Sequence, residues 1–238
     1  MRLFYLDNSG FALEKDGALV VMDCYNPREH SILSRESLKG YGAVTVLSSH
    51  AHSDHFTPEI YHLPCKAAFV NGFDIPAYPG AISLEPGETH RLNGMEIRAF
   101  GSTDEGVSFF LQWQDGSSLF HAGDLNNWHW QDESDKAFIQ QAEQDFFRVL
   151  HSMQPYLGDG ELQIALFPVD PRMGTDYYRG AVQFAEMFRP RVLIPMHFGS
   201  RFQAPQAFFE EMAPYTEIAS PEKSDAPVPL PHWEDLPG

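Results

Sequence analysis

Residues 49–56 read SHAHSDHF and directly follow the apolar run Ala43–Ser48, which predicts a β-strand. Three imidazoles and one carboxylate therefore lie within six residues at the exit of a strand. Neutral imidazole and carboxylate are good ligands for Zn²⁺ and for Mn²⁺ or Fe²⁺. Alternate residues at a strand end point in the same direction, so His50 and His52 can reach one ion. Asp54 and His55 can reach a second ion about 3.5–4 Å away. The alternative is a polar surface loop that happens to be rich in histidine.

The composition describes a globular chain with a strongly acidic surface. The 238 residues include 33 acidic and 16 basic side chains, which gives a net charge of −17. This charge argues against nucleic acid and against anionic membrane as partners, because both require clustered Lys and Arg. A hydrophobic fraction of 43% excludes a disordered chain and suits one large domain. We find no signal peptide and no apolar run near the ~20 residues of a membrane span, and we expect a soluble, cytoplasmic protein.

The order of predicted elements favours sheets covered by helices over a simple alternating arrangement. The predicted strands are Arg2–Leu6, Phe11–Leu13, Ala18–Asp23, Ala43–Ser48, Ala67–Val70, Met95–Phe100, Val107–Trp113, Ser118–His121, Leu162–Pro168 and Val192–Met196. Apolar residues at helical spacing predict helices over residues 138–150, 181–188 and 205–212. Residues 219–238 are rich in proline, and we expect a domain over residues 1–218 followed by an extended tail over residues 219–238.

Three motifs, in order along the chain, resemble those of the metallo-β-lactamase superfamily. Residues 50–55 resemble its first signature, His-x-His-x-Asp-His. Residues 120–124, FHAGD, resemble the strand that ends in Gly-Asp, whose Asp bridges two metals. Residues 195–197, PMH, resemble the final strand, whose terminal His completes the second site. The resemblance spans about residues 1–200 and implies an α/β fold. This is a four-layer αβ/βα sandwich, in which two mixed β-sheets are flanked by helices and the metals lie at one edge.

The resemblance also implies a ligand for each metal, position by position. His50 and His52 would bind the first metal, Asp54, His55 and His197 the second, and Asp124 both. Asp54 and Asp124 would be the catalytic carboxylates, since Asp54 would also orient the nucleophile and Asp124 would hold the pair together. We expect one or two divalent ions per chain, with zinc first and manganese or iron as alternatives. Each of the last two ligands also has a structural interpretation. Asp124 would form an Asx turn at the end of a strand, and His197 would be a hydrogen-bonded histidine that ends a buried strand.

One ligand of the superfamily pattern is missing from this sequence. The superfamily supplies a further imidazole to the first metal from a Gly-His-Thr-like turn, whereas residues 101–105 read GSTDE. The position of the imidazole falls on Ser102 or Thr103, and neither hydroxyl is a strong ligand for a borderline-soft ion. Three alternatives account for the missing imidazole. Asp104 or Glu105 replaces it as an oxygen ligand, water held by Ser102 or Thr103 fills its position, or the first site binds its metal only weakly. The turn also has a purely structural interpretation, in which its side chains cap the loop.

Side chains after two other strands are candidates for the substrate pocket. Trp128 and Trp130 flank His129 just after Asp124 and either wall a pocket for a ring-bearing substrate or pack the loop onto the core. His129 is a group that orients a metal ligand, a substrate contact or a replacement metal ligand. Asp170 and Arg172 follow the next predicted strand. Asp170 would orient a ligand histidine. Arg172 would either bind an anionic group of the substrate or form an ion pair at the surface. The candidate pocket residues are Ser102, Thr103, Asn126, Trp128, His129, Trp130, Asp170 and Arg172.

Exclusion narrows the resemblance to one branch of the superfamily. The diiron flavoprotein branch has Glu in place of the second motif His, and the tRNA-processing nucleases need a basic surface that this chain lacks. The sequence is similar to the compact cytoplasmic branch that includes the ascorbate-phosphate lactonase. We therefore expect a metal-dependent hydrolase that acts on a small lactone, ester or phosphodiester, and a homo-oligomer is left open. The alternatives are a single-metal binding or sensing module with little turnover, and an iron-dependent redox enzyme.

Overall fold

The structure, a computed structural model, describes residues 1–158, 162–199 and 204–230. Within these residues fourteen strands form two sheets of seven strands each. The strands are β1 Arg2–Tyr5, β2 Phe11–Lys15, β3 Ala18–Met22, β4 Ala43–Ser48, β5 Ala68–Gly72, β6 Ile82–Leu84, β7 Thr89–Leu92, β8 Met95–Phe100, β9 Ser108–Trp113, β10 Ser118–His121, β11 Ile164–Pro168, β12 Val192–Met196, β13 Glu217–Ile218 and β14 Ala226–Pro227. The α-helices are α1 Arg35–Leu38, α2 Lys136–Leu157, α3 Arg179–Phe188 and α4 Gln206–Met212, and 3₁₀ turns span Pro27–Glu29, Ser31–Leu33, Pro58–His62 and Pro171–Met173.

Each sheet is antiparallel in one half and parallel in the other. The first sheet has the order β14-β1-β2-β3-β4-β5-β6, with antiparallel pairs up to β3 and parallel pairs from β3 to β6. The second sheet has the order β13-β12-β11-β10-β9-β8-β7, with parallel pairs up to β10 and antiparallel pairs beyond it. The crossovers between the parallel strands place helices and turns on the outer faces of both sheets.

Alternation along the strands builds a core on each face of the first sheet. In β3, Val20 and Met22 belong to the large core that includes the second sheet, whereas Leu19 and Val21 pack on the opposite side. Successive side chains of a strand point to opposite faces, so one apolar run supplies both cores. The outer core of the first sheet is covered by α1 and by 3₁₀ turns.

The longer helices cover the outer face of the second sheet. The ring of Phe184 on α3 lies 5.1 Å from that of Phe120 on β10 and 4.8 Å from that of Phe167 on β11. Phe146 and Leu150 of α2 are buried in the same core. The order of layers is therefore short helix and turns, sheet, sheet, helices. The predicted αβ/βα sandwich of two mixed sheets is confirmed.

The last described segment closes the edge of the first sheet. Strand β14 pairs with β1, and the amide of Val228 donates to the carbonyl of Leu3 at 2.8 Å. Asp225 accepts hydrogen bonds from the amide and the hydroxyl of Ser31. Residues 219–230 thus run along the surface, and residues 231–238 lie outside the described residues. The division of the chain at residue 218 stays a prediction. Within the described residues, no helix combines the length and the apolar character that a membrane crossing requires.

Candidate metal centre

The candidate functional side chains follow strands of both sheets. In the second sheet the parallel strands β10, β11 and β12 end at one edge, and Asp124, Asp170 and His197 follow them in that order. In the first sheet, strand β4 leads directly into loop residues 49–55. Ligands of sheets with parallel strands bind outside the carboxyl ends of those strands. The two sheets bring these ends together into one cluster.

The carboxylate of Asp124 lies at the centre of the cluster. Its Oδ2 atom is 3.3 Å from Nε2 of His50 and 3.9 Å from Nδ1 of His52. Its Oδ1 atom is 3.0 Å from Nε2 of His55 and 3.5 Å from Nε2 of His197. The side chain of His52 is 44% exposed, whereas the other three imidazoles and Asp124 are buried. One oxygen of Asp124 therefore faces each pair of imidazoles.

The ligand atoms form two groups that match the two sets implied by the sequence resemblance. Within each group the atoms lie within 4.8 Å of one another. The groups are His50, His52 and Asp124, and Asp54, His55 and His197. A further combination of Asp23 with His50 and His55 also meets this distance, but the Asp23 carboxylate is already engaged by hydrogen bonds. The structure brings all six predicted ligands together, and their binding of metal stays a prediction.

Unpaired polar atoms show that the cluster suits a cation. Nε2 of His50, Nε2 of His55 and Oδ1 of Asp124 are buried, and none makes a well-directed hydrogen bond to a described residue. An unsatisfied buried polar group costs about 1–3 kcal/mol. Divalent cations held by the two ligand groups would satisfy all three atoms, and this set of nitrogen and oxygen donors suits Zn²⁺, Mn²⁺ and Fe²⁺ alike.

The charges of the cluster shift the pKa values of its members. Burial alone would lower the pKa of His55, but the carboxylates of Asp124 and Asp23 raise it to about 10. Burial opposes protonation of His197 as well, and the hydrogen bond to Asp170 contributes most to raising its pKa to about 9. Burial would raise the pKa of Asp124, yet the surrounding imidazoles, His55 first, hold it well below its ordinary value. The cluster thus holds carboxylates in the charged form that a cation requires.

A hydrogen bond at Nδ1 orients each of the three buried imidazoles in the two ligand groups. Nδ1 of His50 is 2.9 Å from the hydroxyl of Ser49, Nδ1 of His55 is 2.8 Å from Asp23, and Nδ1 of His197 is 3.1 Å from Asp170. Such contacts fix the tautomer, so that Nε2 faces the centre. Asp23 also accepts from the amide of Ser49 at 2.7 Å and from its hydroxyl at 2.6 Å. Sequence reasoning missed Asp23, although its position after β3, beside β4, was a usable signal.

The turn between β1 and β2 supports the same cluster, which sequence reasoning also missed. Asn8 donates from Nδ2 to Oδ2 of Asp54 at 3.1 Å, and its carbonyl accepts from the amide of His197 at 3.1 Å. The carbonyl of Ser9 lies 2.9 Å from Nε2 of His121. The sequence marked this turn only as a chain reversal, but its residues hold two candidate ligands in place.

The turn that lacks the expected imidazole is partly structural. The hydroxyl of Thr103 donates to the carbonyl of Asn126 at 2.5 Å and accepts from its amide at 3.0 Å. Ser102 accepts from the amide of Asp104 through its hydroxyl at 3.3 Å. Asp104 lines the cavity above the cluster, and burial together with the charge of Asp124 raises its pKa. Glu105 is exposed and does not line that cavity. Of the two acidic replacement ligands, the structure places Asp104 nearer to the centre.

The loop after Asp124 supplies one aromatic wall. The rings of Trp128 and Trp130 stack with centroids 6.2 Å apart, and Trp128 meets the ring of His197 edge-on at 5.8 Å. Nε1 of Trp128 donates to the carbonyl of Asp124 at 2.8 Å. Trp130 has a φ of +40°, an uncommon conformation for a side chain of this size. Both rings line the cavity above the cluster, where the pocket interpretation put them.

Three predicted site residues lie away from the two cavities at the cluster. His129 is buried beneath the loop, where Nε2 faces the carbonyl of Asp176 at 3.1 Å and Nδ1 accepts from the amide of Gln131 at 3.2 Å. Both ring nitrogens are therefore engaged away from the cluster, so His129 does not replace the missing ligand. The buried side chain of Asn126 contacts Met173 and lines neither of the two cavities at the cluster. Ser102 lines neither cavity either.

Two cavities open onto the cluster. One, of about 330 Å³, includes His52, Thr103, Asp104 and both tryptophans in its lining. The other, of about 540 Å³, is lined in part by the β1–β2 turn and Tyr25. Asp54, Arg172 and His197 line both. Together the cavities give a small molecule access to both ligand groups.

Proteins similar to this chain in sequence and in fold include metal-dependent hydrolases. A family model described as a beta-lactamase superfamily domain matches residues 2–144. A protein of Methylocella silvestris named "UPF0173 metal-dependent hydrolase" is 25% identical over 258 residues, covering 96% of this chain and 97% of its own length. Igni18, described as a novel metallo hydrolase from Ignicoccus hospitalis, aligns with a TM-score of 0.61 and 20% identity over 94% of this chain and 95% of its own.

The same fold also occurs in a protein with a different reaction. CmlA, a diiron β-hydroxylase from Streptomyces venezuelae, aligns with a TM-score of 0.54 and 12% identity over 93% of this chain and 53% of its own. At such identities a structural match shows the fold alone, so the reaction has to be argued from the site. Because the family match covers more than half of the chain and the fold agrees, this protein belongs to the metallo-β-lactamase superfamily.

Proposed function

We propose that this metal-dependent hydrolase of the metallo-β-lactamase superfamily cleaves a lactone, an ester or a phosphodiester in a small molecule. The observation that carries the proposal is the pair of ligand groups that meet at Asp124, with the unpaired Nε2 atoms of His50 and His55 facing the centre. The relative from Methylocella silvestris, named a metal-dependent hydrolase, supports the same reaction class.

Each side chain of the centre has its own role in the proposed hydrolysis. Divalent ions held by the two groups would lower the pKa of a bound water and polarise a carbonyl or phosphoryl oxygen. Asp124 holds the two groups together. Asp54 is half-buried and lines both cavities, and the hydrogen bond to His197 together with nearby imidazoles keeps its pKa well below the ordinary value. Asp54 is therefore a carboxylate at neutral pH and orients the attacking water as a hydrogen-bond acceptor. Trp128 and Trp130 form an aromatic wall on one side of the cavity.

The proposal also covers the metal, the size of the substrate and the location of the protein. We expect zinc as the first occupant, with manganese or iron as alternatives, because the donors are imidazole and carboxylate. A cavity of about 330 Å³ suits a small molecule. The net charge of −17 supports a substrate other than nucleic acid, and we place the protein in the cytoplasm.

A second candidate function rests on the incomplete first group. The turn at Ser102 and Thr103 offers no imidazole, and Thr103 is committed to the backbone of Asn126. If only the group of Asp54, His55 and His197 holds an ion, the protein is a single-metal binding module with little turnover. In that case the ratio of metal to chain is one, and hydrolysis is weak although the metal is tightly held.

Elemental analysis combined with a hydrolysis panel tests the proposal. Protein purified without chelator is expected to hold close to two ions per chain and to cleave members of a lactone, ester and phosphodiester panel. His50→Ala removes a buried candidate ligand of the first group, and we expect it to lose one ion and at least about 100-fold in kcat/KM, because even loss of a group that orients a ligand costs about 10- to 100-fold. His151→Ala removes an exposed imidazole on α2 and serves as the matched control. Unchanged hydrolysis in the His50→Ala protein would contradict the two-metal mechanism.

A further inference from the structure

Arg172 occupies a particular place in the site, at the boundary of the two cavities. It lines both, together with Asp54 and His197. Five carboxylates line one cavity or the other, and among the described lining residues Arg172 alone carries a permanent positive charge. Among the charged side chains that line the cavities, this guanidinium is therefore the one that attracts an anionic molecule, whereas the five carboxylates repel it.

The position of the guanidinium is built by the loop after β11. Asp170 caps the 3₁₀ turn Pro171–Met173 by accepting from the amide of Arg172 at 2.9 Å. The same carboxylate accepts from Nε of Arg172 at 2.9 Å and from Nη2 at 2.5 Å. Asp170 is 1% exposed and also holds Nδ1 of His197 at 3.1 Å. One buried carboxylate therefore fixes the guanidinium relative to a candidate metal ligand.

The arginine retains donors that this carboxylate does not use. No described residue accepts a hydrogen bond from Nη1, and the Arg172 side chain is 69% exposed although its partner is buried. Nη2 of Arg172 lies 3.4 Å from Nδ1 of His197, which places the guanidinium beside the centre. The ion pair with Asp170 does not by itself explain why the guanidinium lies at the edge of both cavities. The planar fork of arginine suits the recognition of a carboxylate or phosphate group.

We propose that Arg172 binds an anionic carboxylate or phosphate group of the substrate that lies outside the bond to be cleaved. The inference rests on the proposed hydrolytic function and narrows its substrate class to anionic esters, lactones or phosphodiesters with a further negative group. Arg172 is a specificity-determining residue, because it selects among substrates that share the same scissile bond.

Matched pairs of chromogenic esters test this inference on the metal-loaded protein. The 4-nitrophenyl monoesters of succinate and glutarate carry a free carboxylate, and 4-nitrophenyl butyrate is the neutral counterpart. For each variant the readout is the ratio of kcat/KM for a charged ester to that for the neutral ester. Any disturbance of His197 that passes through Asp170 changes both values together and leaves their ratio unaffected.

The variants separate charge from geometry. Arg172→Gln is expected to lower the ratio at least about tenfold, mainly through a higher KM for the charged ester, because a charge-assisted hydrogen bond is lost. Arg172→Lys, which keeps the charge but not the fork, is expected to retain part of the preference. Arg148→Gln removes the same charge from the exposed face of α2 and should leave the ratio unchanged. Glutarate and glycerol phosphate, used as competitive inhibitors of the neutral ester, decide whether the anchored group is a carboxylate or a phosphate.

The possible outcomes distinguish this inference from the function on which it rests. The inference is supported if Arg172→Gln loses the preference for the charged ester and Arg148→Gln keeps it. Equal ratios in the wild-type and Arg172→Gln proteins, with both esters cleaved, overturn the inference and leave the hydrolytic function standing. If the metal-loaded wild-type protein cleaves no ester, lactone or phosphodiester, the proposed function fails and the inference fails with it.

Discussion

Asp23 shows how one residue outside the ligand set controls the geometry of the centre. Its carboxylate is 1% exposed and accepts hydrogen bonds from Nδ1 of His55 and from both donors of Ser49. Burial would raise the pKa of this carboxyl, but the nearby imidazoles of His121 and His55 lower it. A charged Asp23 keeps a proton on Nδ1 of His55 and leaves Nε2 turned toward Asp124.

Replacing this carboxylate by an amide changes the hydrogen bonding and almost nothing else. In Asp23→Asn the side chain loses its charge and gains donors that compete with the amide of Ser49 and Nδ1 of His55. Loss of such an orienting group typically weakens metal affinity about 10- to 100-fold, and we expect an effect of that size here. Titration of zinc against a competing chelator measures it. Asp16→Asn, at an exposed turn, is the control, and equal affinities of the two variants would contradict the assigned role.

The predictability of the site differs from residue to residue. His50, His52, Asp54 and His55 are recognisable because they lie within one short segment at a strand exit. Asn8 is separated from its partner Asp54 by 46 residues, and such a contact depends on how two loops meet in the fold. Proximity in sequence also misled the prediction for the loop beyond Asp124, because the backbone there turns His129 under the loop, away from the cavity.

At the scale of elements, the loop between β8 and β9 packs directly against the segment that carries the first motif. Gly106 in this loop has a φ of +64°, and a Cβ atom there would lie 2.2 Å from the carbonyl oxygen of Ser49 and 2.5 Å from Cβ of His50. Both of these contacts are far shorter than real Cβ contacts. The loop can lie against the first motif only because position 106 has no side chain.

Gly106→Ala therefore tests whether this loop holds the ligands in place. We expect a large fall in the free energy of unfolding and loss of bound metal, because either the loop or His50 has to move. Gly116→Ala in the β9–β10 turn is the control, since it has a φ of +84° with nothing within 4 Å of the added Cβ. It should cost only the about 1–2 kcal/mol of the left-handed conformation and keep its metal. Urea unfolding and elemental analysis of both variants give the comparison, and similar losses in the two would count against a role for the loop.

The strands that the sequence does not predict are short segments at the edges of the sheets. The long apolar runs, such as Ala43–Ser48 and Val192–Met196, appear as strands with those bounds. Strand β7 has four residues, β6 has three, and β13 and β14 have two each, so all four are too short for their alternation to be recognised. The C-terminal segment, expected as an extended tail, contributes β14 because the edge of β1 offers it unpaired backbone groups.

At the scale of the whole molecule, the candidate metal centre joins the two halves of the sandwich. Asp54 and His55 belong to the loop of the first sheet, whereas Asp124 and His197 follow strands of the second. A cation bound between them would cross-link the halves, and ligands that bind only the folded state stabilise it by mass action. In the metal-free protein, protonated imidazoles take the place of this positive charge, because the pKa values of His55 and His197 are raised.

The stabilising effect of metal should therefore grow as the pH rises. The pKa values of His55 and His197 are about 10 and about 9 in the folded metal-free protein, above the ordinary value of 6.5. Their contribution to stability is complete below pH 6.5 and is lost as the pH rises toward 9 and 10, by at most about 1.4 kcal/mol per pH unit for each group. Metal-bound imidazoles carry no such proton, so the loaded protein should lose little over the same range. Urea unfolding with zinc and with chelator at pH 6.5, 7.5 and 8.5 measures the gap, and a gap that is constant or narrows with pH would show that these imidazoles do not bind the ion.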